Sequence, residues 1–283
     1  MAITELHPCY NSPTVPYVFT VKTNNSGVST STQFKLPLVV TGSYNFVASW
    51  GDGTTSTITA YNQAEVTHTY PVAGTYTISI TGTIVGWQFA NGGDRSKMLS
   101  VLTWGCLRLG NDGAYFRGCD QLDLSQVRDV LDTTGTTNMS LAFRGCWPGL
   151  TTINRIGEWD MRAVTDTSYM FYFSQTANPD ISNWNTSSLT NISFMMYAAY
   201  TFDRSLANWR VSNLSSAGSF MINTQALSTA NYDATLISWA AQTLKPSVSI
   251  GFASSKYSSA AVAARSVLTS APNSWTIVDG GLV

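Results

Sequence analysis

The amino-acid sequence predicts a mainly β protein with some α-helix, and three observations support this class. Residues 18–84 alternate apolar and polar side chains, as half-buried antiparallel strands do. Three tryptophans, Trp159, Trp184 and Trp209, then stand 25 residues apart in similar surroundings, which indicates stacked repeats. Near the C-terminus this period is lost and apolar residues take helical spacing. We therefore expect a β-sandwich, a repeat solenoid and an α/β capping segment.

The expected boundaries follow these changes of pattern. Residues 1–14 form an N-terminal arm, 15–85 the sandwich, 86–228 about five repeat coils and 229–283 the cap. We interpret the arm as an extended stretch that could dock on a neighbouring subunit, so a homo-oligomer is one possible assembly.

The composition narrows the functional classes. Of the 283 residues, 44 % are hydrophobic, which is enough to build sizeable cores. Only 11 % are charged, against about 25 % in ordinary soluble domains, and the polarity comes from Ser, Thr, Asn and Gly. This profile is typical of extracellular and virion surface proteins. The 15 basic and 16 acidic residues form no basic cluster, and no apolar run reaches the ~18 residues of a membrane span. We expect neither nucleic-acid binding nor membrane insertion.

The expected sandwich is built from hairpins. Gly51-Asp52-Gly53 predicts a turn between strands at 46–50 and 54–59, because glycine accepts the positive φ of tight turns. Pro71 and Gly74 predict a second hairpin. The strand after it, Thr75 to Ile80, should direct Tyr76, Ile78 and Ile80 to the core.

Two motifs in this part resemble a known family. The segment Trp50-Gly51-Asp52-Gly53-Thr54, followed by His68-Thr69-Tyr70 and Gly74-Thr75-Tyr76, is similar to the polycystic-kidney-disease (PKD) domain. The resemblance implies an immunoglobulin-like sandwich that acts as a spacer or adhesion module. Asp52 has two interpretations, a cation ligand or a turn residue, and the turn is favoured.

The repeats predict columns of buried side chains. Residues at one phase of the repeat should stack, because a single unit cannot bury its apolar face alone. The expected columns contain Trp159, Trp184 and Trp209; Met170, Met195 and Met221, with one extra residue in the last unit; and Cys119 and Cys146.

The four cysteines are not expected to bind metal or a cofactor. Cys119 and Cys146 each end the sequence Phe-Arg-Gly-Cys and are interpreted as a column of buried thiols, although stacked neighbours near enough to oxidise are the alternative. Cys9 and Cys106 lack such a context. His7 and His68 are too isolated to complete a zinc site.

Residues 180–195 resemble another family. Their sequence is similar to the 25-residue repeat of BspA-like bacterial surface proteins and mycoplasma lipoproteins, and residues 97–105 resemble the opening segment of those repeats. The resemblance implies a leucine-rich-repeat-like solenoid. It provides no catalytic residue.

The C-terminal segment is predicted to close the stack. A helix should follow a capping Thr229 or Asn231, then a strand at 248–252, a helix at 259–268 and a strand at 275–278. Without a cap the last coil would expose apolar surface. The segment also resembles the one that follows such repeats in bacterial surface proteins and some phage proteins. Its aromatic residues are expected to pack the cap in preference to binding sugar: Tyr232, Trp239, Tyr257 and Trp275.

The sequence favours a non-enzymatic recognition or adhesion protein. A carbohydrate-active enzyme is the alternative, with Asp160, Asp166 and Asp180 as the least implausible carboxylates, but repeat aspartates usually cap turns. Residues 1–7 lack the pattern of a secretory leader. That favours a phage or virus surface component, namely a capsid decoration, head fibre or tail-associated adhesin. A bacterial cell-surface adhesin without its leader and anchor is the alternative.

The candidate recognition surface is the flank that carries Tyr172, Tyr197 and Tyr200, just beyond the methionine column. Its expected partners are virion proteins or a host-surface glycan or protein, since repeat scaffolds bind through extended faces. The alternative interpretation is that these tyrosines are half-buried packing.

Overall fold

The structure is a computed structural model that describes residues 14–283. Met1 to Pro13 of the predicted arm, with His7 and Cys9, lie outside the described residues. The strands are β1 (Tyr17–Lys22), β2 (Gln33–Lys35), β3 (Ser43–Ser49), β4 (Thr55–Ile58), β5 (Thr67–Thr69), β6 (Thr75–Val85), β7 (Met98–Thr103), β8 (Leu107–Arg108), β9 (Ser249–Gly251) and β10 (Thr276–Val278). The helices are α1 (Thr229–Ala240) and α2 (Val262–Thr269). The predicted class, mainly β with some α, is confirmed.

The largest sheet has β6 near its centre. Its order is β4-β3-β6-β1-β7, and β8 runs parallel to β6. The predicted hairpin at Gly51–Gly53 is confirmed, since β3 and β4 pair antiparallel on either side of it. Gly51 has φ +85, and a Cβ there would lie 2.4 Å from the Thr77 carbonyl oxygen. In β6, Ile78 and Ile80 are fully buried, as predicted.

The second predicted hairpin is wrong. Although Pro71 and Gly74 do mark a turn, β5 pairs with β2 in a separate two-stranded sheet and does not pair with β6. The chain therefore crosses between sheets after Thr69. Tyr70 anchors the crossing: its buried ring stacks on Tyr76 at 3.8 Å, and its hydroxyl donates to the Trp50 carbonyl at 3.1 Å.

The main sheet extends past the boundary predicted at residue 85. β1 pairs with β6 on one side and with β7 on the other, so residues 98–103 share a sheet with residues 17–22. The buried apolar residues likewise form one contiguous cluster from Tyr17 to Trp275. The boundary at 85 remains a sequence-based prediction.

Between β8 and α1, successive segments lie side by side and are joined by short parallel bridges. Asn138 bridges Asp166, Asp166 bridges Asn191, and Asn191 bridges Ser216. The Phe143 amide donates to the Met170 carbonyl at 2.9 Å, and equivalent bonds recur in the next segments. Three phenylalanine rings, Phe116, Phe143 and Phe171, stack nearly parallel at 5.7 and 5.8 Å. Positions one repeat apart therefore contact each other.

The register of the methionines differs from the prediction. The amide of Phe171 donates to Met195 and the amide of Met196 donates to Phe220, by the same pattern in which Phe143 donates to Met170. Met221 therefore lies opposite Met196, and Met195 opposite Phe220. No extra residue enters the last unit, because the Asn191–Ser216 bridge spans the same 25 residues as the Trp184–Trp209 step. Met170, Met195 and Met221 are nevertheless all fully buried.

The C-terminal elements form where the sequence predicts them. Both helices are present, β9 pairs parallel with β10, and Ala217 bridges Ile250 of β9. The predicted helix cap is wrong: Ser228 occupies the N-cap position of α1 without a side-chain cap bond. The Ser228 hydroxyl donates instead to Asp203 at 2.9 Å, and the Asn231 amide donates to the same oxygen at 2.7 Å. These bonds fasten α1 to the preceding segment.

Candidate recognition surface

Each repeat makes a turn that contains two left-handed residues. At the first turn position φ is between +50 and +62 in Ala114, Leu141, Tyr169, Phe194 and Ser219. At the second, four residues later, φ is between +57 and +79 in Gly118, Gly145, Phe173, Ala198 and Asn223. For a residue other than glycine this backbone conformation costs roughly 1–2 kcal/mol. The turns form one edge of the repeat region.

Aromatic side chains cover this edge. The cluster, called the aromatic edge below, consists of Arg144, Tyr169, Tyr172, Phe173, Phe194 and Tyr197. The rings of Tyr169 and Phe194 stack at 4.7 Å, and those of Tyr172 and Tyr197 stack at 4.7 Å with an angle of 16°. Phe173 lies 4.9 Å from Tyr172 and 5.7 Å from Tyr197. Phe173 is 42 % exposed, and the other rings are half-buried.

The guanidinium of Arg144 lies over this cluster. Its Cζ is 4.6 Å from the centre of the Tyr172 ring and 5.7 Å from that of Tyr169. Tyr172 is thus held between Arg144 on one face and Tyr197 on the other. What it presents outward is its ring edge and hydroxyl. At Tyr172 the aromatic edge is therefore suited to hydrogen bonding with a ligand more than to stacking a ligand on the ring.

Of the three predicted recognition residues, the structure brings two together. Tyr172 and Tyr197 lie in the aromatic edge, and the Tyr197 hydroxyl accepts a bond from Asn223 at 3.1 Å. Tyr200, 39 % exposed, lies outside the cluster. Sequence reasoning missed Arg144 and Phe173. The usable signal was that Phe173 stands where two earlier repeats have Gly118 and Gly145.

The three candidate carboxylates bind their own turns. Asp160 and Asp166 accept from the amide two residues later at 3.1 and 2.7 Å, and Asp180 does so at 3.3 Å. Asp160 also pairs with Arg162 at 2.6 Å, and the pKa of Asp160 is lowered mainly by that hydrogen bond. Such bonds tie a carboxylate to the backbone and stabilise its ionised form.

The Cys146 thiol occupies a hydrogen-bonding position of the repeat. Cys146 donates to the Phe116 carbonyl at 3.0 Å, and in later repeats Ser174 and Thr224 donate to the equivalent carbonyls at 2.7 Å. Cys119 and Cys146 are free and fully buried, and burial raises the pKa of both thiols. Cys106 is free and half-buried. The Cys146 thiol thus takes the place of the Ser174 and Thr224 hydroxyls. The interpretation of the cysteines as a packed column of thiols did not include this hydrogen bond.

Asp52 belongs to the turn of the first hairpin. Its carboxylate accepts from the Thr54 amide at 3.0 Å and from its hydroxyl at 2.6 Å, and it pairs with His68 Nε2 at 2.8 Å. His68 is stacked on Trp50 at 4.6 Å. Burial alone would raise the pKa of Asp52, but the bonds from Thr54 and His68 lower that pKa to about 2. Within residues 14–283, no three His, Cys, Asp or Glu side chains are grouped so as to hold a metal ion.

The lowered pKa of Asp52 predicts acid sensitivity. A carboxyl group with a depressed folded-state pKa stabilises the fold above its unfolded pKa of about 3.9 and ceases to do so as the pH falls toward 2. Between about pH 5 and pH 2, the free energy of unfolding of the wild type should fall by about 1–2 kcal/mol more than that of Asp52→Asn, allowing for solvent screening at this surface turn. Urea titrations at each pH measure this. Parallel losses in both proteins would contradict the assignment.

Comparison with known proteins gives a family match. Residues 114–250 match the family described as "Mycoplasma protein of unknown function, DUF285". The match covers the aromatic edge and most of the bridged segments, and it extends into β9. No curated protein and no solved structure matches the chain. No helix of the described part of the chain is long and apolar enough to cross a membrane. The chain is therefore similar, over residues 114–250, to a family of unknown function.

Proposed function

We propose that this chain is a non-enzymatic surface recognition or adhesion protein. In this proposal residues 86–228 form a leucine-rich-repeat-like solenoid, residues 15–85 an immunoglobulin-like sandwich that spaces or anchors it, and the aromatic edge contacts the ligand. The parallel bridges and the stacked phenylalanine column support the solenoid. The β2–β5 sheet beside the main sheet supports the sandwich.

One observation carries the functional part of the proposal. Phe173 combines two unfavourable features, a left-handed backbone and a ring that is 42 % exposed. Gly118 and Gly145 fill the same position of earlier repeats without the steric cost of a side chain. A partly exposed aromatic ring on a strained backbone, packed against Tyr172 and Tyr197, supports a contact with another molecule at this edge.

The proposed location is the virion surface, as a capsid decoration, head fibre or tail-associated adhesin, and the alternative is the bacterial cell surface. The low content of charged residues supports either extracellular setting. A carbohydrate-active enzyme is the alternative of another class. The bonds that tie Asp160, Asp166 and Asp180 to their own turns count against it.

Phe173→Gly tests the proposal. Glycine should relieve the backbone strain, so we expect the free energy of unfolding to stay within about 1 kcal/mol of the wild type or to rise. Binding of the labelled protein to intact bacterial cells and to a glycan array should fall at least about tenfold, since a buried aromatic contact is worth over 1 kcal/mol.

Ala198→Gly is the matched control. Ala198 has the equivalent left-handed conformation, φ +57, but is buried, so this variant changes the backbone without removing an exposed ring. It should bind as the wild type does. The proposal is wrong if Phe173→Gly folds and binds like the wild type, or if both glycine variants lose binding equally.

A further inference from the structure

Arg144 of the aromatic edge and Arg117 in the preceding repeat are two of the six arginines without an ion pair to a carboxylate of residues 14–283. Arg108, Arg155, Arg162 and Arg265 each pair with a carboxylate at 2.6–2.9 Å. Arg117 and Arg144 form no ion pair with any carboxylate of residues 14–283, and Asp120, close in sequence, pairs with neither. Both side chains are half-buried.

These two arginines occupy the same phase of consecutive repeats. The amide of Gly118 donates to the Arg144 carbonyl at 2.8 Å, which sets the two segments side by side. Partial burial and the nearby positive charge of Arg144 lower the pKa of Arg117. Two like charges held together in this way are destabilising, and an anion bound between them would remove the repulsion.

The surroundings define the anion further. Arg144 is held over the Tyr172 ring, so less side-chain entropy is lost when its planar guanidinium binds a carboxylate or sulfate through two hydrogen bonds. Beyond it, the hydroxyls of Tyr172 and Tyr197 and the amide of Asn223 lie along the edge. A protein partner usually contacts a larger apolar centre, whereas Phe173, at 42 %, is the most exposed ring of the edge and lies among polar groups.

We propose that the aromatic edge binds an acidic glycan, with a carboxylate or sulfate group between Arg117 and Arg144 and sugar hydroxyls on Tyr172 and Tyr197. This inference rests on the proposed recognition function and names the class of its ligand.

The test uses the whole chain and four polymers: dextran sulfate, polygalacturonate, unmodified dextran and polyglutamate. Binding is measured by biolayer interferometry for the wild type, for Arg117→Gln/Arg144→Gln and for Arg117→Gln alone, which leaves Arg144 on Tyr172. The control is Arg210→Gln, because Arg210 is an exposed arginine elsewhere in the same region. Thermal unfolding checks that each variant is folded.

We expect the wild type to bind at least one acidic polysaccharide at least about tenfold more tightly than dextran, and the double variant to lose at least about tenfold of that affinity, as removal of charge-assisted hydrogen bonds predicts. Arg117→Gln should lose part of it and Arg210→Gln none. An equal loss in Arg210→Gln would mean non-specific attraction, and binding of polyglutamate at least as tight would mean an acidic protein ligand; either overturns the inference.

The same data separate this inference from the proposed function. Binding to cells or neutral glycans that is lost in Phe173→Gly but retained in the double arginine variant refutes the acidic ligand alone. A wild type that binds no polymer, no glycan and no cell refutes both.

Discussion

Replacing Lys97 by methionine should lower the free energy of unfolding by about 3–5 kcal/mol, as expected when one partner of a buried charge pair is removed. The Lys97 side chain is fully buried. Its Nζ donates to the carbonyls of Thr30 and Gln33 at 2.8 Å and lies 3.8 Å from an Asp94 oxygen. Without it, Asp94 would be a buried charge with no cation, and each of these carbonyls would lose one of its two donors. Urea unfolding measures the loss.

The matched control is Arg162→Met. Arg162 pairs with Asp160 at 2.6 Å, but the pair is exposed to solvent. Exposed pairs contribute little because water screens them, so this variant should unfold like the wild type. A Lys97→Met protein as stable as Arg162→Met would show that the buried network contributes nothing.

Trp184→Ala should cost about 3–5 kcal/mol, the usual loss for a large aromatic removed from a core. The Trp184 ring is buried and stacks on Trp209 at 6.3 Å and 12°. Its indole nitrogen donates to the Ile156 carbonyl at 2.7 Å, and that of Trp209 donates to Ile181 at 2.9 Å. Each indole thus binds the preceding repeat. Thermal and urea unfolding measure the effect.

A pair of phenylalanine variants isolates the hydrogen bond. The indole nitrogen of Trp159 is buried without a partner among the described residues, and its ring contacts Trp104 at 6.0 Å. Trp184→Phe removes one of two hydrogen bonds to the Ile156 carbonyl, which still accepts from the Trp159 amide at 3.2 Å, whereas Trp159→Phe removes an unsatisfied donor. We expect Trp184→Phe to cost about 0.5–1.5 kcal/mol more than Trp159→Phe, the usual net value of one hydrogen bond. Equal losses would mean that the indole bonds do not hold the repeats together.

The network around Lys97 is not predictable from the sequence. The sequence predicts that residues 97–105 open the repeats, and Met98 and Val101 are buried. No local pattern shows that the Lys97 side chain reaches the carbonyls at 29–33, more than sixty residues earlier. A buried lysine can be recognised only when its acceptors are known, because an isolated one would be too costly to bury.

The edge that carries the proposed function was found only in part. The 25-residue period led to Tyr172 and Tyr197, since both follow a methionine of the repeat. It did not lead to Arg144, whose place over Tyr172 depends on how two repeats stack. The predicted pairing of Met195 with Met221 was wrong for a related reason. It matched identical residue types, whereas the backbone hydrogen bonds between repeats set the register.

By itself the sequence determined which side chains lie inside. The period of two in β6 and the period of 25 around the tryptophans both mark buried positions, because buried positions recur at regular intervals along the chain. The tertiary structure alone decided which groups meet: β5 with β2, Arg144 with Tyr172, Lys97 with the loop before β2. Those contacts join segments far apart in the chain, and their energies depend on distances and desolvation that no periodic pattern encodes.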